Sequence, residues 1–382
     1  HIIYSDTLVK RKEMWARVKR SGEPSGAHYR FQHGGSTAFT AGASNMNARK
    51  FLVRVAQLSQ QSLHNFESKL NAKPLKAIHI GELFCQHFLS MLYSEMRHYL
   101  DMVKYVLDNG VPKINRTGVA ALSVFSYFYR VNLQEGFPLL TTKQMYWDSM
   151  VHELFWYLSG EEHIRTLREK TKIWDAWADP EGRLETAYGR FWRRFPVPAQ
   201  GLPGERWTER WTQVDPVTGE RVFDQIQYII DSLKEIRVNP THPSLRRLIV
   251  SAWHPANAAE SKLPPCHYTF CFNVMGDKLN CHLTQRSCDI ALGVPFNLAC
   301  YSLLTMMIAQ ETGFKPGEFA HTLIDAHIYE NHIEGMKEQL TREPGPLPTV
   351  TIEKKPFDQL SFEDIQLHNY VAAPKIKFPV AV

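Results

Sequence analysis

The chain has 382 residues, of which 44% are apolar and 22% charged; that excludes an intrinsically disordered protein and leaves ample material for a buried core. Its 44 basic and 39 acidic side chains leave a formal charge of +5, too small a surplus to mark a nucleic-acid-wrapping protein but compatible with a few arginines at an anionic small-molecule site. No stretch approaches the roughly eighteen uninterrupted apolar residues of a spanning helix, and the start HIIYSDTLVKRKEMW lacks the order of a signal peptide.

Residues 1–95 read as an appendage: a polar Gly/Ser-rich segment from Ser21 to Ser44, then helices over Ala48 to Leu70 and about Ile80 to Met96. A denser pattern starts near His98. HYLDMVKYVLDNG predicts an amphipathic helix with Gly110 as its C-cap residue, and ALSVFSYFYRVNL predicts a strand. Met145 to Leu158 reads as an aromatic-rich helix. Residues 199–221, rich in Gly, Pro, Thr and Trp, read as a surface insertion, followed by a helix from Phe223 to Arg237. RRLIVSAW, HYTFCFNVM and KLNCHLTQRS read as strands, the last two joined at Gly276-Asp277. NLACYSLLTMMIAQETG predicts a buried helix capped by Gly313, EFAHTLIDAHIY a strand and IYENHIEGMKEQL a helix. Long helices among long strands predict an α/β (α+β) domain with a substantial mixed sheet over residues 96–382.

The cysteines are Cys85, Cys266, Cys271, Cys281, Cys288 and Cys300. They form no C-x-x-C pair and no zinc-ligand spacing, so no metal and a reducing, cytosolic compartment are expected. Cys266 stands in LPPCHY, at a stiff junction between two prolines and a strand. It is either an inert core thiol or a nucleophile, whose thiolate would need positive charge from Arg246, Arg247 or Arg286. TQRSCDIALGVPFN groups Gln285, Arg286, Ser287, Asp289, Gly293 and Asn297. Arg286 and Ser287 suit a phosphate. Asn297 offers the donor and acceptor that fit the O4 and N3–H edge of a uracil ring, although it also suits the N-cap of the next helix. Arg246-Arg247 fits a phosphate clamp or a solvated strand edge. His327 and Tyr329 share one face of a strand, as sugar-hydroxyl ligands or as a satisfied core pair.

These segments carry a resemblance. LPPCHYTFCFNV, LTQRSCDIALGVPFNLACYSLL, DAHIYENHIEGMKEQLTREPGPLP, NRTGVAALSVF, GFPLLTTKQ, VHELFWYLSG, KIWDAWAD, AYGRFWR, RRLIVSAW and KIKFPVAV look like thymidylate synthase motifs, in order, from about residue 95 to 382. The resemblance implies a homodimer, packed through a sheet face, that uses dUMP and 5,10-methylenetetrahydrofolate. Cys266 resembles the nucleophile that adds to C6 of the pyrimidine, Glu153 the glutamate that organises water and proton transfers, and Tyr188 the residue that helps remove the C5 proton. Arg116, Arg286 and Ser287, with Gln285, resemble the phosphate site. Arg246 and Arg247 resemble the pair lent by the other subunit. Asn297 resembles the uracil reader, and His327 with Tyr329 the 3′-hydroxyl contacts. Lys143, Trp174, Trp177, Asp289, Gly293 and Phe296 resemble the folate wall; Val380 and Ala381 belong to the tail, Pro379 to Val382, that closes over both ligands.

The family branches after a methylene forms at C5. Hydride transfer gives dTMP and dihydrofolate; water attack, as in phage pyrimidine hydroxymethylases, gives a 5-hydroxymethyl nucleotide and tetrahydrofolate. Asn297, where dCMP enzymes carry aspartate, favours dUMP. Several residues depart from the usual synthase pattern: Thr284 for tyrosine, Leu323-Ile324 for Gly-Gly, Phe191 for glutamine, His254 for asparagine, and Gln144 and Tyr146 where basic groups often meet the folate tail. If they line the ligand cavity, they admit ordered water. The expectation is therefore a phage-type dUMP hydroxymethylase feeding DNA modification, with thymidylate synthase as the alternative. Two other readings are weaker: a nucleic-acid-binding regulator using the basic run Lys10, Arg11, Lys12, Arg17, Lys19 and Arg20, and a catalytically dead scaffold.

Overall fold

The structure, a computed structural model, describes residues 96–184, 188–198, 209–216 and 218–380. The expected helices before residue 96, the basic run, much of the 199–221 insertion and Ala381 lie outside the described residues.

The first helix, α1 (Arg97–Asn109), buries Tyr99, Leu100, Met102, Val103 and Val106 on one face. Gly110 ends it, but with φ −65° in extended backbone, not the left-handed conformation expected of a capping glycine. Glycine is needed there for space: a Cβ would stand 2.5 Å from the Val106 carbonyl oxygen. Helix α2 (Trp147–Ser159) ends on left-handed Gly160, and α3 is a four-residue turn, Arg165–Arg168. Helix α4 (Tyr188–Arg193) is short, and α5 (Gln225–Val238) is capped by Asp224, whose carboxylate accepts from the Gln227 N–H at 2.9 Å. After α6 (Pro255–Glu260) comes α7 (Gly293–Thr312), which starts one turn earlier than its apolar run. Fifteen of its residues are buried, so it is a core helix surrounded on all sides. Helix α8 (Ile333–Leu340) follows a 3-10 turn, Glu330–His332.

The main sheet runs β1 (Val111–Lys113), β2 (Ala121–Asn132), β10 (Lys315–Tyr329), β8 (Lys278–Gln285), β7 (Thr269–Met275), β6 (Ile249–Ser251), with β9 (Cys288–Asp289) also on β10. The pairs β10–β8 and β10–β9 are parallel and the others antiparallel, the mixed sheet the sequence predicts. RRLIVSAW yields only three strand residues, because Pro243–Arg246 coils into a 3-10 turn. The insertion contributes β4 (Thr212–Val214) to a small sheet with β3 (Phe195–Pro196) and β5 (Arg221–Phe223), and β11 (Thr349–Ile352) pairs with β12 (Ile365–His368).

Strand alternation gives the main sheet two faces. One, with Phe270, Phe272, Leu279, Cys281, Leu283, Phe319 and Leu323, is buried beneath α7. Each such large side chain contributes roughly 1.5–3 kcal/mol when removed from water. The other face carries Ile249, Met275, Thr284, Thr322, Phe128 and Arg130, all exposed or half-exposed. Phe125, at an exposed point of β2, is 87% accessible.

Candidate functional site

Cys266 leaves the Pro264-Pro265 corner with its backbone clamped at both ends. Its N–H donates to the Tyr188 hydroxyl at 2.7 Å, and its carbonyl accepts from the Arg286 N–H at 2.8 Å. The Arg286 side chain turns back onto the same corner. Its Nε donates to the Pro265 carbonyl at 3.0 Å and its Nη2 to the Pro264 carbonyl at 2.5 Å. Nη2 also lies 3.9 Å from the Cys266 Sγ. The prolines thus supply rigidity and two acceptors that aim a guanidinium at a sulfur. Burial pushes the Cys266 thiol up, while Arg286, Tyr188 and Arg116 pull it down and Asp289 pushes it up; the net direction is up. The sulfur therefore rests as a thiol, and its activation needs a proton acceptor and the full effect of the cations.

Tyr188 and Glu153 meet through a close helix crossing. Gly189, in α4, faces the α2 backbone: a Cβ would stand 2.2 Å from the Tyr157 carbonyl oxygen, so only glycine lets the two helices touch. Tyr188 stacks on His267 with ring centres 3.8 Å apart and lies edge-on to Trp174 at 5.9 Å. One turn before Tyr157 on α2, Glu153 is buried, and its Oε1 accepts from the Trp174 indole N–H at 2.7 Å. Burial pushes the Glu153 carboxyl up to about 7, against the opposing pull of hydrogen bonds from Trp174 and Tyr157. A carboxyl poised there can give and take protons near neutrality.

The loop before α7 forms a second wall. The Asp289 carboxylate accepts from the Ala291 and Leu292 N–H groups at 2.9 and 3.2 Å. Asn297 lies one turn inside α7 and is buried, so the N-cap reading fails: the helix begins at Gly293. A Cβ on Gly293 would be 3.7 Å from the Asn297 Oδ1 and 3.9 Å from the Asp289 Cβ, in the space between these two groups. Phe296 is half-buried in the same turn. Lys143 donates to the Ala291 carbonyl, and burial lowers it to about 8 although Asp289 opposes this. Its Nζ sits 4.7 Å above the ring of Phe378, in the C-terminal strap that continues through Pro379 to half-exposed Val380. Trp174 and Trp177 stand edge to face at 5.6 Å, and among the described residues the buried Trp177 indole N–H has no acceptor.

His327 and Tyr329 share a face at the end of β10, with ring centres 5.1 Å apart, as their alternation predicts. Burial and Asp289 raise the Tyr329 phenol, while Arg116 and a bond from Thr117 lower it. Arg116 therefore acts on both Tyr329 and Cys266, although its side chain is exposed. Ser287 is half-buried beside Arg286. Arg246 and Arg247 are exposed, and neither side chain forms an ion pair or hydrogen bond among the described residues.

Sequence reasoning missed the supports behind these groups. Gln285, expected to touch substrate, is buried: its Oε1 pairs with His321 Nε2 at 3.0 Å, and its Nε2 donates to the Ser287 carbonyl at 3.0 Å. His321 Nδ1 meets the Tyr129 hydroxyl at 2.9 Å, and burial lowers the imidazole to about 3, so it is neutral and Nε2 carries the proton. Gln285 thus braces the Arg286-Ser287 turn from within. Asp325 takes bonds from Ser123 at 2.5 Å and from Lys113. His327, Lys113 and Ser123 hold its carboxyl well below the usual carboxylate range. The alternating polar residues of both strands were the available signal.

Several of the pattern departures pack against other side chains or lie at exposed positions. Thr284 pairs with Thr269 and Thr322, on the sheet face opposite Gln285. Leu323 is fully buried beneath α7. Phe191 stacks nearly parallel on His254 at 6.1 Å, so these two unusual residues pack on each other. Tyr146 is 59% accessible, with Lys375 5.8 Å from its ring centre.

A family model described as thymidylate synthase matches residues 97–382. The chain belongs to the thymidylate synthase family. It is also similar to a protein named "Thymidylate synthase" from Haloferax volcanii, 48% identical over 337 residues, covering 74% of this chain and 95% of the relative. Membership carries one-carbon transferase chemistry with dUMP and methylenetetrahydrofolate. For the folate, the unpaired Trp177 N–H, the edge-to-face tryptophans and the space above Gly293 offer one hydrogen bond and an apolar cradle. Among the described residues no helix is long and apolar enough to cross a membrane.

Proposed function

We propose that this enzyme converts dUMP to dTMP by reductive methylation at C5, with residues 96–382 carrying the chemistry and residues 1–95 an appendage. The observation that carries the reading is Cys266, backed by the Arg286 guanidinium 3.9 Å from its sulfur and by the Tyr188 hydroxyl on its N–H. The Cys266 sulfur gives up its proton and adds to C6 of dUMP, which makes C5 nucleophilic. The Asn297 amide reads O4 and N3–H of the ring. Arg116, Arg286 and Ser287 hold the phosphate, and His327 with Tyr329 the 3′-hydroxyl. Methylenetetrahydrofolate supplies the one-carbon unit and the hydride that completes the methyl group. Tyr188 assists loss of the C5 proton, Glu153 relays protons through water, and departure of sulfur from C6 restores Cys266. Lys143, Trp174, Trp177, Asp289, Phe296 and the strap wall off the pteridine. A reducing, cytosolic compartment suits a thiol that must stay free.

The hydride branch is favoured over water by the relative named "Thymidylate synthase", 48% identical along nearly its whole length. The hydroxymethylase expectation loses its main support once Thr284, Leu323, Phe191 and His254 are accounted for by packing. Incubation with dUMP and methylenetetrahydrofolate is expected to yield dTMP and dihydrofolate in equal amounts. A 5-hydroxymethyl nucleotide with tetrahydrofolate would overturn this reading.

We also propose a homodimer through the helix-free sheet face, where Phe125 and Phe128 are exposed among half-buried polar residues. The exposed Arg246 and Arg247 would then complete the phosphate site of the second copy. Cys266→Ala and Arg247→Ala chains, each impaired alone, should regain about a quarter of the wild-type sites when mixed, since half the dimers are hybrids with one intact site. No recovery, with mixing shown by sedimentation, would exclude the exchange.

A further inference from the structure

The 3-10 turn after Tyr329 holds a histidine that the mechanism above leaves unused. His332 is fully buried. Its Nε2 donates to the Pro379 carbonyl at 2.7 Å, across 47 residues of chain. Among the described residues its Nδ1 is buried with no partner, facing the Asp289 Oδ1 at 3.7 Å, too far for a hydrogen bond. The ring lies edge-on to Tyr329 at 5.4 Å on the nucleotide side and to Phe378 at 5.1 Å on the strap. Gly335, on the next turn, makes room for that strap: a Cβ there would stand 2.6 Å from Phe378 Cε1.

We infer that His332 is a positioning residue that fastens the C-terminal strap to the folate wall and links it to the nucleotide side of the site. It touches Pro379 and Phe378 of the strap, faces Asp289 of the folate wall and packs on Tyr329. The bond to Pro379 holds the strap near its closed position. Lys143, bonded to Ala291 and set above Phe378, ties strap to wall by a second route, so loss of His332 loosens the strap without freeing it.

The kinetic part of the test rests on the proposed function; the first part does not. In full-length protein without ligands, carboxypeptidase should release the residues after Phe378 about 5- to 10-fold faster from His332→Phe, which keeps the ring contacts but has no donor. His332→Gln, whose amide N–H reaches about as far as Nε2, should restore most of the protection. Equal release from all three proteins would overturn the proposal. In turnover, His332→Phe should raise the KM for methylenetetrahydrofolate about 5- to 10-fold and leave the KM for dUMP within about twofold. In a chain ending at Phe378, the same substitution should add no further loss; an undiminished additional loss would show that His332 acts without the strap. A wild-type protein inert toward dUMP and methylenetetrahydrofolate would refute the proposed function, while the carboxypeptidase comparison would still decide the role of His332.

Discussion

Cys266→Ala is expected to lower kcat by at least about 10⁴-fold, because without a sulfur at C6 the pyrimidine C5 never becomes nucleophilic. The surroundings of the site survive this change. Arg286 stays anchored on the Pro264 and Pro265 carbonyls, and Tyr188 still accepts the backbone N–H of residue 266. Binding of dUMP should therefore change only a few-fold. A dUMP analogue with fluorine at C5 gives a direct readout. Fluorine cannot leave as a cation, so the adduct stops while still bonded to sulfur. Mass spectrometry should find the nucleotide and folate covalently attached to wild-type protein and absent from Cys266→Ala. A variant that keeps more than about 1% of the turnover would refute sulfur addition as the first step.

Glu153→Gln should cost about 10²- to 10⁴-fold in kcat, the range for loss of a general acid–base group. The variant keeps shape and an acceptor for the Trp174 N–H, so the loss reports proton transfer. It also changes stability in a direction the burial dictates. The Glu153 carboxyl stands at about 7 in the fold against an ordinary 4.5, so the folded protein binds this proton more tightly than the unfolded chain. The resulting stabilisation is complete below about pH 4.5 and is lost as pH climbs through about 7. At 1.36 kcal/mol per tenfold change in acidity, the ionised form bears a penalty on the order of 3 kcal/mol. Glutamine does not titrate, so its stability relative to wild type should rise between about pH 5 and about pH 8. Urea denaturation at both pH values checks this. A difference that does not change with pH would mean that Glu153 is ionised without penalty.

Much of this architecture is legible in the chain because its signals are local. The apolar run from Leu298 to Ile308 and the left-handed Gly313 mark α7, and alternation marks β8 and β10. The proline pair before Cys266 and the polar run from Gln285 to Asn297 point to the site, since rigid corners and clustered polar groups follow from residue type alone. The partners of these groups are set by packing between distant segments. Glu153 and Tyr188 come together because Gly189 lets α4 touch the α2 backbone at Tyr157. Asn297 serves as a buried side chain and not a cap because α7 begins a turn early, at Gly293.

The same division explains the misplaced emphasis on Thr284. Its position beside Arg286 in the chain put it near the site on paper, yet strand alternation sends it to the sheet face opposite Gln285, between Thr269 and Thr322. Phe191 and His254, unusual one by one, make sense as a stacked pair. His332 gave no signal at all, because its meaning lies in a bond to Pro379. Residue type and spacing set the elements, the nucleophile and its arginines, through interactions that span a few residues. The tertiary structure chose which side chains face one another, because that depends on how closely helices and strands from distant parts of the chain can pack.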